Sequence, residues 1–414
     1  MSTHVTHLTR ITHYDSRRPP IEPATRTPQH PDLSSWSACA LQAFAHASAL
    51  GLLISPSAPY SGLELAVNED FTRLTTVVHL YGDGEEGQGE DTTYAPPDQL
   101  AFRAAGPGLP LAGEWTLDSF SSHLERLDLF PSVPSSPDFL NFRRWAFESA
   151  ALDLALRQAR LTLPATLGRV ARPVSFVVSP GPEASAEPVQ ARLAIYPRLR
   201  LKLMATPNWD DATVDALAST GAVDIVDLKG QYDESVPIAV RPEAALYRRV
   251  LRGFADAWIE DPGMTASTEP VLHDHHHRIT WDAPIRRAAD IAARTVQPPM
   301  INMKPSRFGS LRALLDAYDY CARTGIGTYG GGQFELGPGR PQIQLLASMF
   351  HPDAPNDVAP TEFNEPVLRR GLPTSPLAAP ESRIGFGFGF DTPTTTTERH
   401  QPGVGSHGQI DSRS

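Results

Sequence analysis

The sequence has few of the residues that stabilise small secreted proteins or membrane proteins. Only two of its 414 residues are cysteines, Cys39 and Cys321, and their separation matches no metal-binding or redox motif. A disulfide framework is therefore excluded, as is typical of proteins in a reducing cytosol. The sequence has no run of about 18 apolar residues that could span a bilayer. Its first thirty residues also lack the apolar stretch of a signal peptide.

Basic residues are outnumbered by acidic ones, which gives the chain a formal net charge of −11. Lysine and arginine form no basic stripe, although such clustering is what binds phosphate groups on nucleic acids or anionic lipids. We therefore predict a cytoplasmic protein with no nucleic-acid partner and no membrane partner.

Composition divides the chain into four segments. Residues 1–35 and 381–414 contain too little apolar surface to offset the entropy lost on ordering, so we predict that both are disordered tails. Between them we expect an α+β capping domain over residues 36–170 and a barrel domain over residues 171–380. As an alternative for part of the second tail, the alternating aromatics of residues 386–390 could pack against the folded body.

Three patterns stand out within the predicted capping domain. Residues 63–81 alternate in polarity, which predicts two strands. Residues 82–91 are rich in glycine and acidic residues, and we predict a turn or loop there. Residues 141–160 carry an apolar face at helical spacing, which predicts the clearest helix of the chain.

After Pro173 the pattern changes to strands that alternate with amphipathic helices. Eight strands joined by helical connections predict a parallel (β/α)8 TIM-like barrel, with a doubly wound open sheet as the alternative. The predicted strands start near Val174, Arg198, Val223, Ala257, Arg278, Met300, Gly327 and Val358.

Five of these strands end in a charged residue. The residues are Lys202, Asp227, Glu260, Asp282 and Lys304, and they follow one another at 25, 33, 22 and 22 residues, the length of successive βα units. Side chains alternate across a strand, so the leucines beside Lys202 face the helices and the lysine faces the barrel axis. We therefore expect the five charges to meet at the C-terminal mouth, where barrel enzymes keep their active sites.

Three carboxylates on consecutive strands repel each other unless a cation lies among them. Asp227, Glu260 and Asp282 together offer an all-oxygen ligand set, which favours a hard metal such as Mg²⁺, with Mn²⁺ possible. Lys202 and Lys304 would flank that metal. A purely structural role for the five charges is the alternative interpretation.

The pattern resembles the enolase superfamily, most closely its muconate-lactonising and o-succinylbenzoate-synthase-like branch in the mandelate racemase/muconate lactonizing enzyme family. The resemblance covers residues 60–365. It includes a G-x-G-E sequence at residues 87–90, a helix followed by A-T-L-G at the end of residues 151–168, a K-x-K-like Arg200-Leu201-Lys202, and the E-D-P that begins at Glu260. The resemblance implies that Asp227, Glu260 and Asp282 bind Mg²⁺ and that Lys202 and Lys304 are catalytic.

The sequence departs from the superfamily pattern at several positions. Arg200 replaces the first K-x-K lysine, and Lys229 stands where strand three usually continues D-x-N. The seventh-strand region has no histidine, which argues against a mandelate-racemase mechanism, and the eighth lacks the D-x-D of dipeptide epimerases. We assign supporting roles to Arg200, Lys229, Asn302, Gln333 and Glu335.

The function implied is a lyase or isomerase that removes the α-proton of a small-molecule carboxylate substrate to give a metal-stabilised enediolate. β-Elimination, as in o-succinylbenzoate synthesis, or an isomerisation would follow. Racemisation, epimerisation and cycloisomerisation are the alternatives within the superfamily. Alternatives of other classes are a diverged barrel that only binds ligands and a metal-independent lyase with a Schiff base on Lys304. A homo-oligomer is possible.

A histidine-rich stretch at residues 273–277 suggests a binding site for a softer metal. It directly precedes the predicted fifth strand, which would place it at the N-terminal end of the barrel. We therefore interpret it as a surface feature outside the active site.

Overall fold

A computed structural model describes residues 43–68, 71–181, 185–232, 238–365, 367–379 and 383–387. The predicted tail at residues 1–35 and most of the one at 381–414 lie outside these residues. None of the described helices is both long and apolar enough to cross a membrane.

The N-terminal part is an α+β domain, as predicted. Its elements are α1 (Ala43–Ser48), β1 (Gly51–Ile54), β2 (Tyr60–Ala66), β3 (Thr72–Gly82), β4 (Glu85–Asp91), α2 (Pro96–Ala105), β5 (Gly113–Thr116), α3 (Leu117–Leu124), α4 (Asp138–Gln158) and α5 (Leu163–Thr166). Strands β2, β3 and β4 form an antiparallel sheet, β1 pairs with β5, and α4 packs against β4.

Strand β4 corrects one prediction, because residues 85–91 form a strand where a turn or loop was expected. Only Asp83 and Gly84, both with positive φ, make the turn. The glycines in β4 reflect close packing: a Cβ at Gly89 would lie 1.9 Å from the carbonyl oxygen of Ala146 in α4. Glycine therefore lets α4 approach the sheet here.

Helix α4 is the predicted long helix, and its residues from Trp145 to Leu156 are all buried. Its Asp153 carboxylate accepts hydrogen bonds from the backbone N–H groups of Gln88 in β4 and of Phe386 near the C-terminus. Phe386 is buried and meets Trp145 edge to face. Residues 383–387, part of the segment predicted as a tail, thus pack on the capping domain.

The C-terminal part is a parallel β/α domain. Its elements are α6 (Glu187–Ile195), β6 (Leu201–Met204), α7 (Asp211–Ala218), β7 (Val223–Asp227), α8 (Ala244–Gly253), β8 (Trp258–Glu260), α9 (Glu269–Leu272), a 3₁₀ helix (His273–Arg278), β9 (Ile279–Trp281), α10 (Ala288–Ala292), β10 (Met300–Met303), α11 (Pro305–Phe308), α12 (Leu311–Thr324), β11 (Gly327–Gly330), α13 (Gly339–Phe350) and a second 3₁₀ helix (Thr361–Asn364).

Strands β6 to β11 form one parallel sheet in chain order. Isolated bridges close the ring: Val178 pairs with Leu201 of β6, Phe176 pairs with Asn356, and Asp357 pairs with Gly331 just after β11. Segments around residues 174–178 and 356–358 therefore take the first and eighth strand positions. The predicted TIM-like barrel is confirmed, and the open-sheet alternative is wrong because the first and last strand positions meet.

Replacing Gly89 with alanine should destabilise the capping domain. The new methyl group has no space against α4, and overpacking of this kind costs about 1–3 kcal/mol. The matched control is Gly108→Ala, where an added Cβ meets nothing within 4 Å. Urea unfolding of both variants measures the difference, and equal stabilities would contradict this account of β4.

Because His351 is buried, the folded protein should become less stable as the pH falls. Burial lowers the pKa of its imidazole from 6.5 to about 4, while Tyr318 and Asn356 hold the ring by hydrogen bonds. Between those two pH values the unfolded chain binds a proton that the folded chain does not. Stability contributed by neutral His351 is therefore complete above about pH 6.5 and is lost as the pH falls to about 4.

The stability lost between pH 6.5 and pH 4 through protonation of His351 is at most about 3 kcal/mol. Comparing the free energy of unfolding of wild type and His351→Gln across this pH range tests the effect. The variant should show the smaller change between the two pH values, and identical slopes would refute the assignment to His351.

Candidate active site

The five predicted charges meet at the C-terminal ends of the barrel strands. Lys202 lies in β6, Asp227 and Glu260 end β7 and β8, and Asp282 and Lys304 directly follow β9 and β10. Asp227 and Glu260 are register partners in the sheet, so their carboxylates lie side by side. Each of the five side chains is buried.

Lys202 lies between the carboxylates of neighbouring strands. Its Nζ is 2.5 Å from Glu260 Oε1, 3.5 Å from Asp227 Oδ2 and 3.4 Å from Asp357 Oδ2. Burial disfavours its charged form, but these carboxylates outweigh burial and raise the pKa of Lys202 above its usual value.

The Glu260 carboxylate is completely buried. Its Oε2 accepts hydrogen bonds from the Tyr329 hydroxyl and, at 3.5 Å, from the Asn302 amide. Complete burial raises the pKa of Glu260 to about 8, although Lys202 acts in the opposite direction. Asn302, predicted as a supporting residue, thus contacts a predicted metal ligand.

Asp282 is held by two cations. Its Oδ2 lies 2.9 Å from Lys304 Nζ, and its Oδ1 lies 3.2 Å from Arg307 Nε. Burial alone would raise the pKa of Asp282, but Arg307 and Lys304 together hold it well below its usual range. Asp282 is therefore a carboxylate with a cation on each oxygen.

Lys229 is also part of the cluster. Its Nζ lies 2.6 Å from Asp227 Oδ2, and its backbone N–H donates to Asp227 Oδ1 at 3.1 Å. Tyr232 places its ring 5.2 Å from the same ammonium group. Lys229, predicted as a supporting residue, thus directly contacts a predicted metal ligand.

Arg200 is not brought to this cluster. It precedes β6 at the N-terminal end of the strand, where it pairs with Asp224 and donates to the carbonyl of Gly221. The register of β6 against β7 shifts between Leu201 and Lys202, which breaks the alternation that would put Arg200 on the same face as Lys202.

Gln333 and Glu335 lie in the loop after β11, and both are buried. Glu335 accepts the backbone N–H of Gln333 at 2.7 Å and pairs with Arg340 at 3.3 Å. The loop passes close over the site, since a Cβ at Gly331 would lie 2.4 Å from Asn302 Oδ1. The two residues therefore shape the wall of the site through their loop.

The capping domain holds this loop in place. Glu90, in the G-x-G-E of β4, accepts the backbone N–H groups of Leu336, Gly337 and Gly339 at 2.6–2.9 Å. Arg73 of β3 donates to the carbonyl oxygens of Gln333 and Phe334. The G-x-G-E glutamate thus joins the two domains beside the site.

Sequence reasoning missed four residues that contact the cluster. Arg307, Tyr329 and Asp357 lie on separate elements and carry no motif, so only the fold brings them in. Asp261 was visible in E-D-P, and its φ of +49° marks it as unusual. Its two oxygens accept the backbone N–H groups of Asp282 and Ala283 at 2.8 and 2.9 Å.

Three carboxylates lie as close together as metal ligands would, but they are not the predicted triad. Asp227, Glu260 and Asp261 place ligand oxygens within 4.8 Å of one another. Asp282 is not in that group, and its two oxygens pair with Lys304 and Arg307. Both Asp261 oxygens accept backbone hydrogen bonds, and both Asp227 oxygens contact Lys229. As arranged, these side chains do not fit a divalent metal.

The histidine-rich stretch forms a second cluster, away from the mouth. Glu269, His273 and His276 place ligand atoms within 4.8 Å of one another, and all three precede β9 at its N-terminal end. The predicted position outside the active site agrees with this placement.

Two family models match the chain. Residues 48–166 match the N-terminal domain of a domain of unknown function (DUF8230), and residues 170–365 match the C-terminal domain of the same family. Together the two matches cover well over half of the chain.

A curated relative is N-succinylamino acid racemase from an Amycolatopsis species, with 28% identity over 252 residues. The match covers 56% of this chain and 66% of the racemase, just under two thirds of its length.

Solved structures share the fold over most of the chain. A dipeptide epimerase from Enterococcus faecalis V583 matches with a TM-score of 0.60 and 15% identity, over 82% of this chain and 99% of the epimerase. A muconate lactonizing enzyme from Pseudomonas fluorescens, solved with muconolactone, matches with a TM-score of 0.59 and 18% identity, over 82% of this chain and 97% of that enzyme. A member of the enolase superfamily from E. faecalis V583 matches with a TM-score of 0.58 and 20% identity, over 82% of this chain and 96% of that protein. The chain therefore has the capping domain and barrel of the enolase-superfamily fold and belongs to the family defined by the two DUF8230 domains.

Proposed function

We propose that this protein is an enolase-superfamily enzyme that removes the α-proton of a small carboxylate substrate. The observation that carries the proposal is the position of two buried lysines. Lys202 in β6 and Lys304 after β10 lie on either side of the carboxylates at the ends of β7, β8 and β9. A lysine on each side of a substrate carbon can act as base on one face and as acid on the other.

The chemistry needs positive charge near the substrate carboxylate. When a lysine takes the α-proton, the electron pair of the C–H bond moves onto the carboxylate and gives an enediolate with additional negative charge. Preorganised cations stabilise that charge most where water is excluded. Lys202, Lys229, Lys304 and Arg307 supply such cations at the buried mouth of the barrel.

The fate of the enediolate separates the candidate reactions. Return of a proton to the opposite face gives racemisation or epimerisation and needs both lysines. Loss of a β-hydroxyl as water gives β-elimination and needs a base on one face only. Similarity to an N-succinylamino acid racemase favours racemisation of an acylated amino acid over the elimination and cycloisomerisation that the resemblance also implies. Mg²⁺ or Mn²⁺ remains the cofactor that the resemblance predicts, and no step here depends on it.

A ligand-binding barrel without catalysis is the second candidate. The observation in its favour is the burial of the cluster, since Lys202 and Lys304 are each only 5% exposed. Lysines held in ion pairs are protonated, and a base must first lose that proton.

Proton exchange in D₂O distinguishes the two candidates. We expect the protein to replace the α-proton of an N-succinyl-L-amino acid with deuterium and to produce the D-enantiomer, as measured by NMR and chiral chromatography. Lys304→Arg and Lys202→Arg keep the positive charge but cannot act as bases near neutrality, so each should slow racemisation by about 10²- to 10⁴-fold. Arg172→Gln, at an exposed ion pair with Asp353, is the control and should leave the rate unchanged.

Other outcomes would reject the proposal. Full exchange by both folded lysine variants would remove these residues from the mechanism. Absence of exchange across a panel of carboxylates, together with saturable binding of one of them, would support the binding barrel. Reduction by borohydride that joins a carbonyl substrate to Lys304 would instead support the Schiff-base lyase.

A further inference from the structure

The carboxylates at the barrel mouth already have cationic partners from the chain. Each predicted metal ligand pairs with a different lysine: Asp227 with Lys229 at 2.6 Å, Glu260 with Lys202 at 2.5 Å, and Asp282 with Lys304 at 2.9 Å. Arg307 holds the second oxygen of Asp282, and Tyr329 donates to the second oxygen of Glu260. A divalent metal would have to displace these groups.

The charge count at the mouth supports the same conclusion. With Asp261 and Asp357 included, at most five carboxylate charges face four cations, so the set carries at most one net negative charge. Lys229 and Arg307 supply two of those four positive charges, as many as one divalent cation would bring. Adding a divalent cation to the present set would leave excess positive charge in a buried site, where uncompensated charge is costly.

Lysine is rare in this chain, which makes Lys229 informative. Of the 36 lysine and arginine residues, only Lys202, Lys229 and Lys304 are lysines, and all three lie in this cluster. Arginine provides the positive charge everywhere else. An ammonium group is a compact point charge, whereas a guanidinium is a planar fork, so the two are not equivalent in a confined site. Lys229 is therefore one of three positions where the chain uses a compact cation.

The backbone at Lys229 is held in an unfavourable conformation. Its φ of +49° lies in the left-handed region, which lysine adopts less readily than asparagine or glycine. Strain of this kind persists where surrounding contacts over-determine the position, and it concentrates at functional sites. The ion pair and the backbone hydrogen bond to Asp227 are such contacts.

We propose that the ammonium group of Lys229 replaces the divalent cation of the enolase-superfamily site, so that Asp227 and its neighbouring carboxylates are held without Mg²⁺. The inference rests on the proposed function for the identity of the site. It adds that the positive charge stabilising an enediolate here belongs to side chains, with Arg307 as the second contributor.

A Mg²⁺ titration of the full-length chain tests the inference. The protein is labelled with ¹³C and ¹⁵N in lysine, so its three lysine side chains give three sets of NMR signals. For the wild type, millimolar MgCl₂ should leave these signals and the Tm unchanged. Mg²⁺ is the suitable probe because softer metals would also bind imidazole groups, and Glu269, His273 and His276 form such a cluster.

Lys229→Asn should create the Mg²⁺ site that the wild type lacks. It removes the ammonium, supplies an amide oxygen near Asp227 and suits the left-handed backbone. At Mg²⁺ concentrations 100-fold above its Kd, the Tm of this variant should rise by about 4 °C, and a chelator should reverse the rise. The matched control Lys229→Arg keeps the charge and should remain insensitive to Mg²⁺. If the asparagine variant does not fold, Lys229→Gln takes its place in the titration.

Two results would overturn the inference. The first is saturable Mg²⁺ binding by the wild type, seen as a shift of the lysine signals and a chelator-reversible rise in Tm. The second is a folded Lys229→Asn or Lys229→Gln variant that gains no affinity for Mg²⁺. Both readouts are binding measurements, so they hold whether or not the protein racemises the trial substrates. Failure of the proposed function is thereby distinguishable from failure of this inference.

Discussion

The buried ion pairs at the mouth of the barrel are the constraint on which this structure depends most. An ion buried without a partner costs several kcal/mol, and two carboxylates on paired strand ends repel each other as well. Lys202 contacts both Asp227 and Glu260, so one ammonium offsets their repulsion. The ends of β6 to β10 must therefore stay in register for the charges to remain paired.

The capping domain contributes to this arrangement through α4 and β4. Asn141 in α4 donates to the backbone carbonyl of Arg307, whose guanidinium reaches Asp282. Glu90 fixes the loop that covers Asn302 and Lys304. Because the cap and the barrel share these contacts, we expect the geometry of the charged cluster to depend on both domains.

Most of the fold was predictable because the buried parallel strands are continuous apolar runs separated by amphipathic helices. The predicted starts at Val223 and Met300 coincide with the first residues of β7 and β10. Strand β4 was missed because its glycines allow the close approach of α4, and this tertiary contact cannot be recognised from the local sequence. Arg200 was misplaced because alternation assumes an unbroken strand, and the register shift in β6 lies beyond sequence reasoning.

The candidate site was predictable to a similar degree. The charged strand ends were recognised from their spacing, and the structure brings them together. The partners of those charges were not recognised, since Arg307 and Tyr329 come close to the carboxylates only when the barrel forms. Lys229 was noted as a departure from the superfamily pattern, yet its contact with Asp227 depends on a left-handed backbone that sequence alone does not indicate for lysine.

The confinement of lysine to the barrel mouth has a consequence for the outside of the protein. Enzymes and reagents that acylate, methylate or ubiquitinate side-chain amines find no target residue elsewhere in the chain. Any side-chain amine that does become modified must be one of the three in the cluster. Modification of a lysine side chain by an amine-selective reagent would therefore report how often the mouth of the barrel opens to solvent.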